Sequence, residues 1–286
     1  MKQKTTGRHN MPLKVLEQFA KAKAADTTME DSIVVTTDFC AVFDGSTTKT
    51  SQHTASGNTT GREAVKILSK AITQLSAQAN VTTCADILTS SIAAYYKQNH
   101  LVEIIRREPE QRLTATAAIY SVSRNEVWLF GDCQCRIQGR TIKNNKKIDT
   151  TLAIIRGDIL KYLLNNGYQI ETLRREDLGR KFIFNALRDQ CAFQNQSTEN
   201  PFAYPVIDGT PISYGQIRII HIPPHSDVIL ASDGYPELGN TLTETEQMLQ
   251  ENNLKDPLCI FQNPQTKGIS YGANSFDDRS FLRFST

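Results

Sequence analysis

Residues 31–45 read DSIVVTTDFCAVFDG, and the fold turns on this stretch. Ser32–Thr36 and Phe39–Phe43 are rich in β-branched and aromatic residues, which suit a pleated surface. Thr37-Asp38 between them is a two-residue connection of the length that closes an antiparallel hairpin. In that register the numbers of facing residues sum to 75. Thr36 then faces Phe39, Val34 faces Ala41 and Asp31 faces Asp44, with opposed Cβ atoms about 5 Å apart. Two carboxylates meet at the open end of the hairpin. Like charges so placed cost stability without a counter-charge, and a bound cation is the natural one. A register slip of one residue would undo the pairing.

Moving outward, three more aspartates stand at the edges of apolar runs: Asp132 closes VWLFGD, Asp233 closes VILASDG and Asp277 opens FDDRSFLRF. Carboxylates gathered from strand ends supply the oxygen ligands that hard divalent cations prefer. A single Asp before Gly is more often a turn residue than a ligand; the shared position beside strands is what sets these four apart.

The remaining elements alternate in kind. Leu13, Val15, Leu16, Phe19 and Ala20 have helical spacing and predict a helix over 12–24. After a polar stretch, 46–61, two helices are predicted over 62–78 and 85–108, the first with Ala64, Val65, Leu68, Ala71, Ile72 and Leu75 on one face. Thr114–Val122 and Glu126–Phe130 form a second hairpin around Arg124-Asn125, and short strands continue over 135–142. A helix over 151–165 ends at Asn166-Gly167. Ile217–Ile222 and Val228–Ala231 read as a third strand pair around Pro223-Pro224, and Arg279–Phe284 as a last strand. Residues 170–215 yield no clear pattern. Hairpins with helix pairs between them indicate an α+β fold with antiparallel sheets. Neither GxGxxG after a strand nor GxxxxGK[ST] is present, which argues against the nucleotide-binding folds that carry them.

Thirty-two basic and 30 acidic residues give a net charge of +2 over 286 residues. That balance favours neither a nucleic acid nor a membrane as partner. With no repeat, low-complexity tract or flexible linker, residues 1–286 read as a single domain, with 1–27 as a helical lead-in. The six cysteines are scattered; only Cys133 and Cys135 are close, and no second pair completes a zinc site. Reduced thiols, and no apolar stretch of signal-peptide or membrane-spanning length, lead us to expect a cytoplasmic protein. Trp128 reads as core, and His100, His221 and His225 as surface residues.

Met29-Glu30-Asp31, Val42-Phe43-Asp44-Gly45, Gly131-Asp132 with Arg136, Ala231-Ser232-Asp233-Gly234 and Asp277-Asp278 before a closing strand resemble, in order and rough spacing, the motifs of the PPM/PP2C metal-dependent protein serine/threonine phosphatases. The resemblance runs from about Thr28 to the C-terminus. It implies a PP2C-like αββα sandwich of two antiparallel β-sheets flanked by helix pairs, with a centre of two Mn²⁺ or Mg²⁺ ions at one end. Carried over by position, Asp44 would bridge the ions, the Gly45 carbonyl would help hold one, and Asp233 and Asp277 would bind the other. Glu30 and Asp31 would act from the surrounding shell through water, and Asp132 would assist a third, weaker ion. Asp44, Asp233, Asp277 and Asp31 are then the expected catalytic carboxylates. The implied reaction is hydrolysis of phosphoserine or phosphothreonine in a phosphorylated protein substrate. A metal-bridged water would attack directly, and no phosphoenzyme would form.

Three departures stand beside these matches. Asp26 occupies the place of a phosphate-binding Arg, and Ser46 that of a His that could serve as general acid. Asp278 stands where many members have Asn. His53, Arg62 and Lys49 lie near enough in sequence to supply a replacement cation. A pseudophosphatase or regulatory binding module of the same fold, and a metal-dependent hydrolase of a small phosphate ester, are the competing readings. Residues 170–215 read as an insert or flap that bears on specificity.

Overall fold

A computed structural model describes residues 13–49, 54 and 56–286. The strands are β1 (Lys14–Lys21), β2 (Asp31–Val35), β3 (Phe39–Gly45), β4 (Ala115–Ser121), β5 (Glu126–Phe130), β6 (Gln134–Ile137), β7 (Arg140–Lys143), β8 (Arg218–His221), β9 (Asp227–Ala231) and β10 (Arg279–Ser285). The helices are α1 (Thr60–Ile72), α2 (Val81–Gln98), α3 (Val102–Arg107), α4 (Lys147–Asn165), α5 (Ile170–Arg175), α6 (Leu178–Asp189) and α7 (Leu242–Lys255). They build two five-stranded sheets, ordered β1-β10-β9-β6-β7 and β2-β3-β4-β5-β8. Every strand pair is antiparallel.

Strand β3 shows why the sequence folds this way. Successive side chains point to opposite faces. Phe39, Ala41 and Phe43 pack against Val65, Leu68 and Ile72 of α1 and Leu88 and Ile92 of α2. Cys40 and Val42 turn the other way, towards Val228, Leu230, Leu282 and Phe284 of the facing sheet. A strand covered on both faces has no polar alternation, hence the continuous apolar run. The outer face of the facing sheet is covered by Tyr235, Leu238, Ile269, Phe276 and Leu249 of α7. Helices α4 and α6 pair with each other through Ile148, Leu152, Ile183 and Leu187. Trp128 is fully buried in the layer beneath α1 and α2.

The β2–β3 hairpin has the expected register, with Asp31 facing Asp44 and Val34 facing Ala41. Three other expectations are corrected. Lys14–Lys21 is an edge strand paired with β10, not part of a helix over 12–24. Its register shifts between Val15 and Glu17, so a bulge at Leu16 breaks the period of two and leaves a spacing that mimics a helix. Strands β8 and β9 do not pair with each other: β8 joins β5, while β9 lies between β10 and β6. The segment around Pro223-Pro224 therefore carries the chain from one sheet to the other. The helix expected over 85–108 breaks at His100, whose φ is +56°, giving α2 and α3. All six cysteines are free and buried, and His100, His221 and His225 are exposed. Among the described residues no helix is long and apolar enough to cross a membrane.

Candidate metal centre

The alternation that buries Cys40 and Val42 between the sheets carries Asp44 to the end of the same row, and Asp31 is its cross-strand partner. Asp132 follows β5, Asp233 follows β9 and Asp277 precedes β10, so loops at one end of the sandwich deliver three further carboxylates. Asp44, Asp132, Asp233 and Asp277 line one cavity of about 470 Å³. Asp31 lies behind it, 3% exposed, next to Ser232.

Close backbone contacts account for both Asp-Gly pairs. The Gly45 N–H donates to the Glu30 carbonyl at 3.1 Å, and a Cβ on Gly45 would lie 2.5 Å from the Gly61 carbonyl oxygen. A Cβ on Gly234 would lie 1.9 Å from the Asp278 carbonyl oxygen. Asp278 is a clip: its carboxylate accepts from the Glu30 N–H at 2.7 Å and from the Lys23 N–H at 3.0 Å, tying the chain before β2 to the start of β10. Glu30 accepts a 2.6 Å hydrogen bond from Thr59, the N-cap of α1.

The carboxylates divide by what neutralises them. Lys23 Nζ lies 3.3 Å from Asp277, 3.7 Å from Glu30 and 3.7 Å from Asp278. Lys267 also pairs with Asp277, and Lys146 pairs with Asp132 at 2.7 Å. Asp31, Asp44 and Asp233 pair with no Lys, Arg or His nitrogen among the described residues. Burial raises the pKa of all three, reinforced at Asp44 by Asp31 and at Asp233 by Asp44. At Asp277 burial pushes in the same direction, but Lys267 and Lys23 outweigh it and hold the carboxyl below its ordinary value.

The donor set is all oxygen, as Mg²⁺ and Mn²⁺ require. Asp31 Oδ2 is buried without a hydrogen-bond partner, an unmet demand for positive charge or a proton. As the side chains stand, no three or more Asp, Glu, His or Cys among the described residues are set to hold one ion. The inner trio fits a divalent cation by its chemistry, whereas Asp132 and Asp277 fit one only by exchanging their lysines.

The sequence reading missed Lys23, Lys146 and Lys267, which lie outside every motif and come to the site through β1, the turn before α4 and the loop before β10. Asp26, at the place of the Arg, is exposed, and the nearby Lys23 is engaged with Glu30, Asp277 and Asp278. Of the three replacement cations considered, Arg62 donates to the Asp31 carbonyl at 3.3 Å, Lys49 lines the cavity, and His53 lies outside the described residues. Arg136 points away, to Thr141 and Asn240. From 170–215, Arg180, Leu187, Gln190, Gln194, Tyr204 and Val206 border the cavity.

No protein-family model and no curated protein sequence matches this chain. Solved structures similar to it include the catalytic domain of the serine/threonine protein phosphatase PstP in complex with two manganese ions, at 13% identity and TM-score 0.48, covering 96% of this chain and 98% of that one. PppA, described as a key regulatory component of T6SS in Pseudomonas aeruginosa, is similar at 12% identity and TM-score 0.48, over 96% and 99%. The PPM Ser-Thr phosphatase MsPP from Mycobacterium smegmatis, in complex with cacodylate, is similar at 12% and TM-score 0.44, over 95% and 98%. At such identities, function has to be argued from the chain's own residues.

Proposed function

We propose that this protein is a phosphatase dependent on Mn²⁺ or Mg²⁺ that hydrolyses phosphoserine and phosphothreonine in proteins. The observation that carries the reading is the trio of Asp31, buried, and Asp44 and Asp233, half-buried at the cavity wall, which come from both sheets and form no ion pair among the described residues. Such a cluster costs stability unless it binds protons or a metal ion. Asp44, Asp233 and the Gly45 carbonyl would hold the ion, with Asp31 orienting from behind and Asp277, Glu30 and Asp132 completing the set. A divalent ion there would supply charge neutralisation for the phosphoryl group and a lowered pKa for water. Lys49, Lys146, Lys267 and Arg180 line the same cavity and would supply positive charge to a phosphoryl dianion docked in it.

The test is phosphate release from an aryl phosphate and a phosphothreonine peptide with Mn²⁺, with Mg²⁺ and with chelator. Turnover should require metal and be lost in Asp44→Asn; a folded wild-type protein inactive with both metals would refute the proposal. That outcome would favour a regulatory binding module. Its motive is the lysines seated on Asp277 and Asp132.

A further inference from the structure

Ser46 follows Asp44-Gly45 and is not alone there. The Lys49 ammonium donates to Ser46 Oγ at 3.3 Å, and both residues line the cavity that contains Asp44 and Asp233. The lysines around this cavity are not equivalent. Lys146 and Lys267 are locked to carboxylates, and Lys143 reaches the Pro236 carbonyl from an exposed position. Lys49 is hydrogen-bonded to a neutral hydroxyl and forms no ion pair among the described residues. Lys143 likewise meets only a neutral oxygen but is exposed, so Lys49 is the one of the four that is partly withdrawn from solvent without a paired carboxylate to hold its charge.

We propose that Lys49 is the general acid of the reaction, protonating the leaving alkoxide beside Ser46. The inference rests on the phosphatase reading above. A water oxygen forms the new bond to phosphorus and its proton passes to solvent. The ester P–O bond breaks, and its electron pair stays on the serine or threonine oxygen. Lys49 Nζ gives a proton to that oxygen, releasing the free hydroxyl, and the neutral amine regains a proton from solvent. Burial lowers the Lys49 pKa to about 8, with Lys146, Arg180 and Lys267 acting in the same direction against the opposing pull of Asp149. Those four groups come from α4, the turn before it, α6 and the loop before β10. Glu110, Arg112 and Arg188 line a small cavity on which Lys49 also borders, with Cys191. An acid with a pKa near the working pH is the effective kind.

The test compares substrates that differ in their need for a proton. With Mn²⁺-loaded full-length protein, Lys49→Met should lower kcat/KM for a phosphothreonine peptide by about 10²-fold, the lower end for general-acid catalysis. The loss on p-nitrophenyl phosphate should be much smaller, because a nitrophenolate leaves without help. The wild-type profile for the peptide should fall above about pH 8, where Lys49 loses its proton, and this limb should vanish in the variant. Lys49→Arg keeps the charge but cannot release a proton near neutrality, so it should resemble Lys49→Met on the peptide. Equal losses on both substrates, or full activity in Lys49→Arg, would overturn the proposal and leave Lys49 a phosphate-binding charge. Wild-type turnover untouched by Lys49→Met would refute the general acid alone. A wild type that hydrolyses neither substrate would refute the phosphatase reading, and this inference with it.

Discussion

The carboxylates of Asp31, Asp44 and Asp233 lie at the inner end of the sandwich with no ion-pair partner among the described residues, whereas Glu30, Asp132, Asp277 and Asp278 each stand next to a lysine. All seven belong to the same motifs, yet their energetics differ. A carboxylate paired in place, such as Asp278 clipping Glu30 and Lys23, contributes to the fold whether or not anything binds. Three acidic groups crowded without an ion-pair partner oppose the fold, and that cost persists where function requires it. The difference separates carboxylates that hold the sandwich end together from those free to take a ligand.

The largest effect should come from breaking the inner set. Asp44→Asn should lower metal-dependent phosphate release by more than about a hundredfold, the upper end of what residues outside a metal's ligand shell cost. The same variant should melt no lower than wild type in chelator, because it relieves repulsion rather than removing a contact. An equal loss of activity and melting temperature would mean that Asp44 is structural.

A change in the outer set should act the other way. Lys23→Met leaves Glu30, Asp277 and Asp278 without their shared ammonium, whose side chain is 18% exposed. It should cost about 2 kcal/mol, below the range for a fully buried pair. Chemical denaturation measures this directly, and an unchanged midpoint would show that the outer lysines are incidental. The smallest effect belongs to Lys255→Ala, which removes an exposed pair with Glu251 on α7. Its stability should stay within about 0.5 kcal/mol of wild type, and a larger change would show that surface pairs matter more here than their exposure implies.

Much of the inner set was legible in the sequence, because hairpin register is a local property. The two-residue turn at Thr37-Asp38 and the β-branched runs beside it are enough to place Asp31 opposite Asp44. The outer set was not legible. Lys23, Lys146 and Lys267 reach the site only through long-range pairing and loop paths, and lysines are too common for any spacing to single them out. β1 was misread because a bulge at Leu16 disguised a strand as a helix. The partners of β8 and β9 were misread because the sheet that a strand joins after Pro223-Pro224 is decided by packing, not by the turn. Helix α7 went unread: its buried residues, Thr245 and Leu249, are too few to make an apolar stripe.

The most direct test of the division is Mn²⁺ binding to the full-length protein, followed by electron paramagnetic resonance or calorimetry, in wild type, Asp44→Asn and Lys23→Met. If the inner carboxylates form the ion site, wild type binds saturably, Asp44→Asn loses at least about a hundredfold in affinity, and Lys23→Met binds as well as wild type or more tightly. Absence of binding in wild type, or equal affinity in wild type and Asp44→Asn, would contradict it.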